Sequence, residues 1–136
     1  MSLFKETNWK RPVLSEDKIE LLEQVERHIF SKGVLKERLT LESGLSMSIQ
    51  FGAGHRCSPR VNGLHLWEHT TVEIGMPSRE IPEIERFQEP DEWDMETDEM
   101  VCGDPTEGVF NFVPIGTLIQ IIRDNGGVKQ VMEVVK

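Results

Sequence analysis

The 136-residue sequence has no tyrosine, only two cysteines and no long apolar run, and each scarcity excludes something. No stretch approaches the roughly 20 apolar residues that a membrane-spanning helix requires, so no membrane partner is expected. Cys57 and Cys102 belong to no C-x-x-C pair, which argues against a disulfide scaffold or a zinc ribbon. The opening Met1-Ser2-Leu3-Phe4-Lys5-Glu6 lacks the basic-then-apolar pattern of a secretory signal. The expectation is a cytoplasmic protein with free thiols.

Lysine and arginine are absent between Phe87 and Ile122. That interval holds nine acids, Glu89, Asp91, Glu92, Asp94, Glu96, Asp98, Glu99, Asp104 and Glu107, and the formal net charge is −9. The imbalance therefore sits in one segment and the rest of the chain is balanced. A generic nucleic-acid binder shows a basic face and a high pI, whereas the pI here is about 4.9. Direct nucleic-acid binding is disfavoured. The run 88–99 has the composition of a solvated acidic loop, with Trp93 and Met95 available as anchors.

The length fits one domain, 1–136, with an irregular lead-in over 1–14. Ser15 is a helix N-cap, Glu16 and Asp17 place negative charge in the first turn, and Ile19, Leu22, Val25 and Ile29 recur at helical spacing toward Gly33. Alternation predicts strands over 38–42 and 46–51, then over 64–74 after a polar loop at 52–63. In the third strand His65, Trp67, His69, Thr71 and Glu73 would share one face. Residues 100–102 and 109–113 flank a turn-rich 103–108 and suggest a hairpin. Pro114 begins a second helix with the stripe Ile115, Leu118, Ile119 and Ile122, ended by Asn125-Gly126-Gly127. The tail 128–136 fits either a strand or a helix. This order predicts an α+β single domain, a mainly antiparallel sheet of about five short strands with two covering helices.

Four patterns bear on chemistry. His65-Leu66-Trp67-Glu68-His69 has the H-x-x-E-H spacing of a zinc-peptidase helix, but its context is a strand, where residues four apart lie ~13 Å from each other. His69-Thr70-Thr71 matches one H-x-T element of a two-histidine phosphoesterase, and no second copy exists. His55, Cys57 and Cys102 offer zinc donors at no recognised spacing. Asp94, Glu96 and Asp98 resemble the start of a calcium loop, but Glu99 stands where glycine is needed and Pro105 where glutamate is needed. No catalytic set, metal-ligand set or cofactor is assigned on these patterns.

The loop 52–60 is the most suggestive feature. Gly52 and Gly54 permit close backbone approach, while His55, Arg56, Ser58 and Arg60 suit a carboxylate or phosphate. The competing reading pairs those arginines with the acidic run. The functional expectation is a non-enzymatic accessory protein that binds a small anionic ligand or a protein partner. It would use Gly52, Gly54, His55, Arg56, Ser58 and Arg60 together with the 64–74 strand face of His65, Trp67 and His69. One alternative is an acidic inhibitor or nucleic-acid mimic acting on a basic protein surface through 88–107. A second is a small metal-dependent hydrolase using His55, Cys57, His65 and His69, and a third is a homo-oligomeric structural subunit.

Overall fold

Helix α1 (Glu16–Ile29) starts where Ser15 adopts an extended backbone and Glu16 and Asp17 meet the positive end of the helix dipole. Its apolar stripe, Leu22, Val25 and Ile29, is fully buried. The helix ends earlier than the stop signal at Gly33 implies, because Phe30 already leaves helical geometry. Gly33, at φ +112°, then redirects the chain. These features come from a computed structural model, which describes residues 10–33 and 36–130.

Four strands form one antiparallel sheet in the order β1 (Leu39–Thr40), β2 (Ser46–Gln50), β3 (Thr71–Gly75) and β6 (Val109–Pro114). Burial alternates along β2, with Met47 and Ile49 inside and Ser46, Ser48 and Gln50 outside. The register sets Ile49 opposite Ile74 and Ile74 opposite Phe110, so one apolar row crosses three strands. Helix α2 (Ile115–Asp124) contributes Ile115, Leu118, Ile119, Ile121 and Ile122 to the same core. Arg123 of α2 meets Asp17 of α1 at 2.9 Å. The fold is α+β, as the element order predicts.

Three expectations are corrected. The segment 64–74 is not one strand: a 3-10 turn at Leu66–Glu68 precedes β3. Two carboxylates cause the turn, since Glu68 accepts the His65 N–H at 3.0 Å and Glu26 of α1 accepts the Leu66 N–H. His65, Trp67 and His69 therefore share no strand face. The acidic run is not merely a loop, because β4 (Glu92–Asp94) pairs with β5 (Glu99–Val101) as a separate two-stranded sheet. Among the described residues the strands number six, close to the five or so expected. Residues 100–102 and 109–113 do not pair either: β5 pairs with β4 and β6 with β3. Between them Pro105–Glu107 is a 3-10 turn, capped by Asp104, which accepts the Thr106 N–H at 2.9 Å.

Residues 10–14 are irregular, as expected of the lead-in, and the remainder of that lead-in lies outside the described residues. So does 131–136 of the tail, whose Val128 forms an antiparallel bridge with Leu41. Among the described residues no helix is long and apolar enough to cross a membrane.

Candidate functional site

The chain leaving β2 folds into a loop whose two limbs are tied at Gly52 and Asn62. Gly52 is buried at φ +123°, and a Cβ there would lie 2.7 Å from Asn62 Oδ1. That same oxygen accepts the Ala53 N–H at 2.9 Å. Only glycine allows both the left-handed backbone and this approach. Inside the loop the Cys57 thiol donates toward the carbonyls of Gly52 and Pro59, at 3.3 and 3.4 Å, and accepts the Gly52 N–H at 3.2 Å. Burial pushes its pKa up, which favours the thiol over the nucleophilic thiolate. Cys57 is a structural staple of the loop. Both cysteines are free.

Between this loop and α1 lies a cleft of about 380 Å³. Phe30, Phe51, Val61 and Leu64 give it apolar walls, and Glu26, Lys36, Asn62 and His65 give it polar ones. Phe30 and Phe51 meet edge to face, with centroids 6.4 Å apart. The Lys36 ammonium donates to the Phe51 carbonyl at 2.9 Å and to Gln50 Oε1 at 3.3 Å, and lies 4.4 Å from the Phe51 ring centroid. An ammonium has three donors, so one is unspent among the described residues. Partial burial lowers the Lys36 pKa, opposed by the negative charge that Cys57 and Glu73 can carry.

His65 closes the other side. Its Nδ1 is 3.1 Å from Glu26 Oε2, and this hydrogen bond raises the imidazole pKa, so the cleft gains a second cation as pH falls. Trp67 stacks on the His65 ring at 5.3 Å and 6°, with the Arg11 guanidinium 6.0 Å from the Trp67 ring centroid. Arg11 also pairs with the largely buried Glu68 at 2.7 Å. Each oxygen of the Glu26 carboxylate has a partner, His65 Nδ1 on one and the Leu66 N–H on the other, and these hold it at the cleft wall.

No family model, curated protein or solved structure matches this chain. The cleft is therefore judged by its own chemistry.

Of the residues singled out from the sequence, Gly52 and His65 line the cleft and Trp67 supports it from behind. The others lie elsewhere. His55 Nδ1 faces Glu73 Oε2 at 3.3 Å on the outer side of β3, and Glu73 also accepts the Arg56 N–H at 3.2 Å. Arg56 and Arg60 are exposed, and among the described residues neither forms an ion pair, with the acidic run or otherwise. Gly54, at φ +91°, is at the open tip of the loop. Ser58 uses its backbone to extend the sheet beside β3, accepting the Thr70 N–H at 2.9 Å.

His69 is completely buried, edge-on to Phe51 at 5.3 Å, and neither ring nitrogen has a hydrogen-bond partner. Burial lowers its pKa; the Ser58 carbonyl opposes that shift without reaching hydrogen-bond geometry. The H-x-x-E-H spacing thus sends one histidine to solvent and one to the core. Among the described residues no group of three His, Cys, Asp or Glu side chains is placed to hold a metal ion.

Sequence reading missed Glu26, Phe30, Lys36 and Asn62. Only Asn62-Gly63 carried a local signal, as a turn. Glu26 reads as part of the wet face of α1, and Lys36 as an ordinary surface cation.

Proposed function

We propose that the protein is a small-molecule-binding domain whose cleft between α1 and the 51–65 loop takes a ligand with an aromatic or aliphatic body and one carboxylate or phosphate. The observation that carries this reading is Lys36, a half-buried ammonium at an aromatic-walled cleft with one donor unspent. A charge-assisted hydrogen bond in such a partly dry place is stronger than its equivalent in water. Phe30, Phe51, Val61 and Leu64 offer the apolar surface that a ligand body buries, and Asn62 and His65 offer directional polar contacts. The anion-holding role moves from Arg56 and Arg60 to Lys36.

The test is calorimetric titration with a panel of phenyl- and alkyl-carboxylates, phenyl phosphate and the matching neutral amides. Acids should bind and amides should not, and Lys36→Met should abolish binding while Arg56→Ala and Arg60→Ala leave it within about twofold. Equal binding of acids and amides, or full binding by Lys36→Met, would sink the reading.

A further inference from the structure

The hairpin β4–β5 is a second surface, separate from the cleft, and it is unfinished in two respects. Among the described residues its strands pair only with each other, and a two-stranded ribbon alone is marginally stable in water. The register sets Trp93 opposite Met100, so both side chains stand on one face, and they are 55% and 51% exposed. Met95, in the connecting turn, is 88% exposed. On the other face Asp94 stands opposite Glu99, a like-charge pair that weakens a ribbon. A neighbour with an apolar recess covers the Trp93–Met100 face, and positive charge at its rim offsets the negative charge that the hairpin carries.

The charge pattern selects among occupants. Asp91, Glu92, Asp94, Glu96, Asp98 and Glu99 lie in or next to the same hairpin, and no lysine or arginine lies between Phe87 and Ile122. Such a field repels anionic lipid headgroups and nucleic-acid phosphates, and it steers cationic surfaces toward the ribbon. A second copy, itself at net charge −9, is also disfavoured. We propose that the β4–β5 hairpin is the docking element for a basic protein partner, seating Trp93 and Met100 in an apolar recess rimmed by lysines or arginines. Neither Trp93 nor Met100 lines the cleft, so this surface stands or falls independently of the small-molecule reading.

Three labelled synthetic peptides of equal length test it: one alternating lysine and leucine, one all lysine and one alternating glutamate and leucine. Fluorescence anisotropy should show the lysine-leucine peptide binding at least about tenfold tighter than the all-lysine peptide, with added salt weakening it and the glutamate-leucine peptide not binding. The double variant Trp93→Ala/Met100→Ala should lose about tenfold or more. Asp94→Asn/Glu99→Gln, which leaves the apolar pair in place, should weaken binding and flatten its salt dependence. Wild-type binding by both double variants overturns the proposal, as does equal binding of the all-lysine peptide. A concentration-dependent dimer that Trp93→Ala/Met100→Ala abolishes assigns the face to a second copy and also overturns it.

Discussion

Lys36 and Phe51 meet twice, through the hydrogen bond from the ammonium to the Phe51 carbonyl at 2.9 Å and through the ring centroid 4.4 Å from the same nitrogen. The first contact uses a backbone acceptor that β2 no longer needs after Gln50, and the second is a cation–π contact at a partly dry site. Together they fix a long, flexible side chain at the cleft.

That placement predicts the pH dependence of ligand binding. Burial lowers the Lys36 pKa below the ordinary lysine value of 10.5, so the cation is lost earlier than from a free lysine as pH rises. Affinity for a carboxylate should fall through that alkaline window. Lys36→Arg should hold its affinity across the same window, because guanidinium stays charged. Titrations at increasing pH check this, and identical profiles for the two proteins would refute it.

His65 and His69, one turn apart in sequence, should act on stability in opposite senses. His65 has a raised folded-state pKa, so its contribution is fully present below the ordinary value near 6.5 and fades as pH climbs through the raised one. Its exposure keeps that contribution small. His69 has a lowered pKa, so below pH 6.5 the unfolded chain takes a proton that the folded chain refuses. Stability should decline on acidification from pH 6.5 toward that depressed pKa. His69→Leu removes an unpartnered buried polar group, and should gain about 1 kcal/mol at neutral pH and flatten the acid decline. Urea denaturation between pH 5 and 8 reads both effects, and a large loss of stability in His69→Leu would contradict the account.

What was legible in the sequence follows from the range of the interactions involved. The stripes Leu22-Val25-Ile29 and Leu118-Ile119-Ile122 and the alternation Met47-Ile49 are local patterns, and they yield α1, α2 and β2 correctly. The run from Leu64 to Ile74 also alternates, yet its first half coils because the local Glu68 accepts the His65 N–H and Glu26, 40 residues earlier than Leu66, accepts that residue's N–H. No window on the local sequence contains Glu26, the second of the two carboxylates. Lys36 reaches the cleft only after Gly33 redirects the chain, so it too is set by a contact at long range, with Phe51. Gly52 was legible as a close-approach glycine, and the atom it approaches within the chain is Asn62 Oδ1, ten residues on.

The two loop glycines separate crowding from backbone strain. Gly52 and Gly54 both have positive φ, +123° and +91°, but only at Gly52 would a Cβ meet another atom, Asn62 Oδ1 at 2.7 Å. Gly54→Ala should therefore incur strain alone, about 1 kcal/mol, whereas Gly52→Ala should cost about 1–3 kcal/mol and also displace the Asn62 link to Ala53. Chemical denaturation compares the two variants, and equal destabilisation would show that the Asn62 contact relaxes freely.

A bulge in β6 separates two phenylalanines that strict alternation would place together. Ile74 pairs with Phe110 and Val72 with Val113, so Asn111 and Phe112 both stand against Glu73. Phe112 takes φ +52°, gives its N–H to the Arg56 carbonyl at 2.9 Å and is 40% exposed, while Phe110 is completely buried. Phe110→Ala should cost about 3–5 kcal/mol, the range for emptying a large core position. Phe112→Ala should cost under about 1 kcal/mol, since it removes a half-exposed ring and keeps the backbone bond that anchors the loop. Phe112→Gly should be at least as stable as Phe112→Ala, because glycine carries no penalty at that φ. Urea midpoints for the three variants decide it: comparable losses at 110 and 112 would mean that the bulge does not turn Phe112 out of the core.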